Sequence, residues 1–139
     1  MQIVKQKKTK RYDAAPTTSI EEYIMREKSI SGATAIVSGR YPEKGYATNL
    51  VSYELVLVLS GNGYIGTKRK KRAIELGDCL LLKPKEKYYW LGHMALFMVT
   101  TPAWNLRQHK IVKKFFINSI LLCSCPPRKS NQSFRFVRS

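Results

Sequence analysis

The chain has 139 residues, 44% of them hydrophobic, and a formal net charge of +16. That length suits one domain with a real core. Three cysteines (Cys79, Cys123 and Cys125) exclude a disulfide framework. The longest apolar run, "FFINSILLC", is interrupted by Asn118 and Ser119 and is too short to span a bilayer, so a soluble cytoplasmic protein is expected.

The charge is concentrated at the ends. Residues 1–12 hold five Lys/Arg and residues 107–139 hold eight, with no acid in either segment. The middle, 13–106, has twelve Lys/Arg against nine Asp/Glu. Basic ends can contact nucleic acid through its phosphates, but such blocks are more commonly solvated tails.

Residues 1–31 read as an N-terminal arm. Ser19 followed by "IEEYIM" has the look of a helix start, with Glu21 and Glu22 in a first turn, so a short helix or an irregular arm is expected. From Gly32 the rhythm becomes short strands separated by turns. "ATAIVS" (33–38), "YATNLV" (46–51) and "YELVLVLS" (53–60) are strands, with Pro42 and Gly45 punctuating the turn between the first two. "YIGT", "AIEL", "CLLL", "KYYWLG" and "MALFMVTT" continue the pattern. The run "KRKKR" (68–72) reads as a phosphate patch or an exposed loop rim. Cys79 reads as a small core residue. The chain is therefore all-β, a sandwich or barrel. After about His109 the rhythm stops, and 113–139 reads as a basic C-terminal tail. Cys123 and Cys125 have no partner pair that would make a zinc site.

Gly61, Gly63 and Gly66 spell G-x-G-x-x-G after a strand. A dinucleotide site also needs a helix there to face the pyrophosphate. "TKRKKRAIELGD" has no helical period and Gly77 ends it. Gly-Asn-Gly between two β-prone runs is instead expected to turn a hairpin.

With the glycines so assigned, another spacing stands out. Glu54, six residues, then Gly61 matches the end of the motif G-x5-H-x-H-x3–4-E-x6-G. "GDCLLLKPKEKYYW" (77–90) resembles the motif G-x5-P-x-G-x2-H-x3-N, with Pro84 one residue late. On these motifs the chain resembles the cupin superfamily over Gly32 to Trp104. "TPAWN" followed by "QHK" resembles the closing segment of small cupins and puts the domain end near Val112. The resemblance implies a cupin jelly-roll β-barrel over 32–112, a homodimer, and a metal site of three histidines and one glutamate. The sequence departs from that ligand set. The motif-one histidine positions are Ala47 and Asn49, or Thr48 and Leu50 with the shorter spacing, and the motif-two position is Tyr89. Only Glu54 remains, and His93 and His109 fall at neither motif. No metal and no cofactor are therefore expected.

In the family's register Ala47, Asn49, Glu54 and Tyr89 point inward. Glu54 is then a proton-transfer group or a structural carboxylate. Trp104 caps a mouth of the barrel or simply packs. Arg40 and Tyr41 reach an anionic ligand at the rim, or Arg40 lies on the surface. The leading expectation is a barrel that binds a small polar or anionic ligand, such as a sugar derivative, through Arg40, Asn49, Glu54, Tyr89 and Trp104 without catalysis. A second is a metal-independent isomerase or epimerase with Glu54 moving the proton and Tyr89 assisting. A third is nucleic-acid contact through the basic ends.

Overall fold

The computed structural model describes residues 1–113. Nearly all of the basic tail expected over 113–139, with Cys123 and Cys125, lies outside these residues. After a 3-10 turn at Gln6–Lys8 come β1 (Lys10–Ala15), β2 (Thr18–Tyr23), β3 (Ser31–Tyr41), β4 (Tyr46–Asn49), β5 (Tyr53–Gly66), β6 (Lys71–Glu75), β7 (Cys79–Leu82), β8 (Tyr89–Thr101) and β9 (His109–Val112). The larger sheet has the order β1-β2-β3-β8-β5-β6, with β7 also on β5, and β4 pairs with β9 in a smaller one. Every pairing is antiparallel. This is the jelly-roll architecture that the resemblance implies. No helix among the described residues is long and apolar enough to cross a membrane.

Strand alternation builds the core. On β5, Glu54, Val56 and Val58 are buried, while Tyr53, Leu55 and Leu57 face out. On β3 the inward residues are Ala35 and Val37, and on β8 they are Trp90, Met94 and Leu96. Leu96 is fully buried and lies between Ala35 of β3 and Val58 of β5 in the sheet register. Leu96→Ala is expected to cost about 2–4 kcal/mol of unfolding free energy, read as a lower denaturation midpoint at unchanged slope.

Four local expectations are corrected. The helix expected from Ser19 does not form. Residues 10–23 form the β1–β2 hairpin, which covers the edge of β3 from Thr18↔Val37 to Tyr23↔Gly32. Glu21 and Glu22, adjacent in sequence, take opposite faces as strand residues must. Glu21 pairs with Arg11 at 2.8 Å, whereas Glu22 accepts a 3.0 Å hydrogen bond from the Tyr12 hydroxyl.

The glycines do not turn a hairpin either. They lie inside β5, which runs 14 residues, is irregular between Val58 and Ser60, and passes from pairing with β7 to pairing with β6. Gly61 has φ +76°, and a side chain there would collide with the His93 carbonyl of β8. The glycines thus bend a long strand across its neighbour, and the β5–β6 connection falls in 67–70, within the basic run. Cys79 is exposed, because alternation on β7 sends Leu80 and Leu82 inward instead. The segments "KYYWLG" and "MALFMVTT" form one strand, β8, with Gly92 at φ +139° between them.

Candidate functional site

A cavity of about 610 Å³ opens between the two sheets, with the β1–β2 hairpin as one wall. Its inner end is formed by Tyr41, Glu54, Tyr88, Trp90 and His109. They come from four strands, Tyr41 from β3, Glu54 from β5, Trp90 from β8 with Tyr88 immediately before it, and His109 from β9, so the barrel itself assembles the group. β4 carries Asn49 beside β9, where the register pairs it with His109. Asn49 then meets Glu54 at the start of β5.

The loops that deliver these strands are tied together by Gln108. Its Oε1 accepts from the backbone N–H of Val51 (3.0 Å) and Ser52 (2.8 Å), and its Nε2 donates to the Ser52 hydroxyl at 2.6 Å. The Ser52 hydroxyl donates in turn to the Pro102 carbonyl at 2.6 Å.

The polar side chains form a directed chain. Asn49 Nδ2 donates to Glu54 Oε2 at 2.5 Å. Asn49 Oδ1 is left to accept, so at 2.8 Å His109 Nδ1 is the donor. His109 Nε2 then has a free lone pair and accepts from the Tyr41 hydroxyl, also at 2.8 Å. This assigns the neutral tautomer with the proton on Nδ1. Burial holds the His109 pKa below its usual value, which favours that neutral form.

Glu54 is 4% exposed, and burial pushes its carboxyl up to about 7, partly offset by the Asn49 hydrogen bond. Burial and then the charge of Glu54 push the Tyr41 phenol up to about 12. The same causes, with Tyr41 added, hold Tyr88 well above the usual phenol range. Both phenols are therefore proton donors at neutral pH, next to a carboxyl poised to gain or lose a proton. Glu54 Oε1 and the Tyr88 hydroxyl take no hydrogen bond from the described residues, and both residues line the cavity.

Of the sequence-based site residues, Glu54 lines the cavity, and Asn49 lies behind it as its hydrogen-bond partner rather than in the lining. Trp104 is half-buried at the mouth, its ring tilted 53° against His109 with centroids 5.8 Å apart. Its backbone N–H donates to Ser31 Oγ (2.9 Å) and Thr100 Oγ1 (3.1 Å).

Tyr89 is not in the cavity, and the inward position belongs to Tyr88. The error is the one-residue excess before Pro84. Counting from Pro84 selects Tyr89, while counting the motif from Gly77 selects Tyr88, which is bridged to Ala47 by paired backbone hydrogen bonds of 2.8 and 2.9 Å. Tyr89 instead packs on Tyr46 and Gly66. Arg40 does not face the cavity either. Its guanidinium binds the Pro42 carbonyl, donates to the Gly45 carbonyl at 2.8 Å and lies 4.3 Å from the Tyr89 ring centre. Arg40 and Tyr89 thus clasp the β3–β4 turn. Arg40→Ala is expected to cost about 1–2 kcal/mol in a denaturation curve, while ligand affinity in the cavity changes less than about twofold.

Tyr88 and His109 were not among the sequence-based candidates, and Tyr41, expected beside Arg40 at the rim, lines the cavity. Tyr41 carried a usable signal, since it continues the inward period of Ala35 and Val37 along β3. His109 carried none within its own segment. It is placed only by the long-range pairing of β9 with β4.

These donors do not fit the metal site that the cupin resemblance implies. The positions around Glu54 carry Ala47, Asn49 and Tyr88, and both nitrogens of His109 are engaged by Asn49 and Tyr41. No group of three or more His, Cys, Asp or Glu suited to a metal occurs among the described residues. A divalent first-row metal needs three or four such ligands.

No protein-family model matches the sequence, and no curated protein matches it. Solved structures do resemble it. The nucleoside dehydratase Pac13 superposes with a TM-score of 0.73 at 16% identity, over 81% of this chain and 92% of that one. Three Streptomyces Pac13 variants with uridine, one His→Gln and two Tyr→Phe, superpose equally well, at the same TM-score. KdgF from Halomonas gives 0.60 at 9% identity over 76% and 96% of the two chains. An RmlC-like cupin from Shewanella frigidimarina gives 0.56 at 13% identity over 70% and 86%. With the antiparallel sheets and these superpositions together, the chain has the cupin fold.

Proposed function

We propose that the cavity binds a small hydroxyl-bearing molecule and moves a proton on it without a metal, as an isomerase or a lyase that eliminates water. The observation that carries this reading is Glu54. It lines the cavity with Tyr41 and Tyr88, its Oε1 takes no hydrogen bond from the described residues, and its other oxygen is fixed by the Asn49–His109 chain. A general base must reach its proton, and a pKa near the working pH favours both removal and return.

In this scheme the Glu54 carboxylate takes a proton from a substrate carbon activated by an adjacent carbonyl. Tyr88, whose hydroxyl is not committed to another side chain, donates a hydrogen bond to the oxygen that gains charge. The proton is then returned to carbon for isomerisation, or goes to a departing hydroxyl for loss of water. The fold relation to a nucleoside dehydratase studied with uridine supports testing nucleosides and sugars first.

The direct test is incubation of the full chain with oxidised nucleosides and ketoses in D2O, followed by NMR. Deuterium gain at carbon, or loss of water from the substrate, in wild type but not in Glu54→Gln supports the reading. Exchange that proceeds equally in the variant would refute it.

A further inference from the structure

We propose that the cavity selects an uncharged, ring-bearing hydroxylated ligand and rejects its phosphorylated or carboxylated counterpart. This rests on the reading of the cavity as a ligand site and adds the charge class of the ligand.

The chain carries a formal charge of +16, yet no lysine or arginine lines the cavity among the described residues. Four carboxylates do line it: Asp13, Glu22, Glu27 and Glu54. The nearby arginines are committed elsewhere. Arg11 is paired with Glu21 on the outer face of the hairpin, and Arg40 is tied to Pro42, Gly45 and Tyr89 outside the cavity. Glu27 sits at the lip, where Ser29 and two backbone N–H groups hold its carboxyl below the usual range, so it remains charged. An anion entering here loses water, gains no cationic partner and approaches like charges.

The remaining wall suits a neutral polar ligand. Thr18 is 4% exposed, lines the cavity, and its hydroxyl has no hydrogen-bond partner. That oxygen is itself closed to solvent, and a buried hydroxyl is costly to leave unpaired, so turning it toward a ligand oxygen or nitrogen in the cavity is favoured. The Tyr12 hydroxyl, bonded to Glu22, adds a second polar point on the same hairpin wall. Tyr41 and Trp104 supply aromatic faces for a ring.

Isothermal titration of the full chain with two matched pairs tests this: uridine against uridine 5′-monophosphate, and glucose against glucose 6-phosphate. At least one neutral member is expected to bind, with its phosphorylated partner at least about tenfold weaker. Thr18→Val is expected to weaken the neutral ligand about three- to tenfold, and Asp13→Asn with Glu22→Gln to narrow the gap within the pair. A phosphorylated member that binds as tightly as its neutral partner overturns the proposal. Binding of neither member of either pair also overturns it. Neutral-selective binding combined with Glu54→Gln that leaves turnover unchanged would instead refute the proton-transfer reading and leave the charge selection standing.

Discussion

Glu54→Gln is expected to lower turnover in the cavity by about 10²–10⁴-fold while making the folded protein more stable above neutral pH. The two effects have one cause. Folding removes the carboxyl from water and raises its pKa from 4.5 to about 7. Between these values the native state holds a proton that the unfolded state has released, so stability falls as pH rises through this window. Below about pH 4.5 both states are protonated and the contribution of Glu54 is flat. Above about pH 7 the full cost of a buried charge is present, on the order of 3 kcal/mol.

Glutamine keeps the oxygen that Asn49 needs but cannot ionise. The variant should match wild type near pH 4.5 and exceed it by about 1–3 kcal/mol at pH 8 in urea denaturation. His109 works in the opposite direction. Its lowered pKa makes stability fall as pH drops below about 6.5, but this is common to both proteins and cancels in the difference. A wild type that is as stable as the variant at pH 8 would show that Glu54 is not destabilised by burial.

Asn49→Leu should break the site from the other side. Asn49 is 3% exposed and supplies the only side-chain hydrogen bond that Glu54 receives among the described residues. It also accepts the Nδ1 proton of His109. Leucine has similar volume and no polar atom, so Glu54 Oε2 and His109 Nδ1 are both left buried without a partner, while His109 Nε2 keeps Tyr41. The expected cost is about 2–4 kcal/mol of stability at neutral pH. The Asn49 hydrogen bond lowers the Glu54 pKa, so its loss should move that pKa further up and carry the acidic limb of the pH–rate profile with it. Destabilisation without any movement of the pH profile would make Asn49 a packing residue only. Asn49→Gln, which keeps the amide, provides a foldable intermediate case.

The sequence made the strand rhythm from Gly32 onward readable because half-buried strands alternate. Glu54 was readable because its spacing to Gly61 reflects a fixed strand length. What escaped was whatever depends on strands meeting. The β1–β2 hairpin has apolar residues at only a few positions, and its acidic pair resembles a helix start. Only the open edge of β3 shows why those residues extend. The bend in β5 was mistaken for a turn because glycines serve both purposes, and the collision that makes Gly61 necessary is with β8, more than thirty residues away. Tyr88 and Tyr89 are chemically identical neighbours on opposite faces, so a single-residue slip in the Lys83–Lys87 connection exchanges a site residue for a clasp. His109 belongs to the site because β9 returns to β4, a pairing with no local signature.

The central claim is that Glu54 is a carboxyl held ready to exchange a proton near neutral pH inside the cavity. Carbon-13 NMR titration of the side-chain carboxyls, with Glu54→Gln used to assign the signal, measures this directly. The account expects one carboxyl, absent from the variant, to titrate at about 7. A Glu54 signal that titrates at the ordinary 4.5, with no carboxyl near 7, would contradict it.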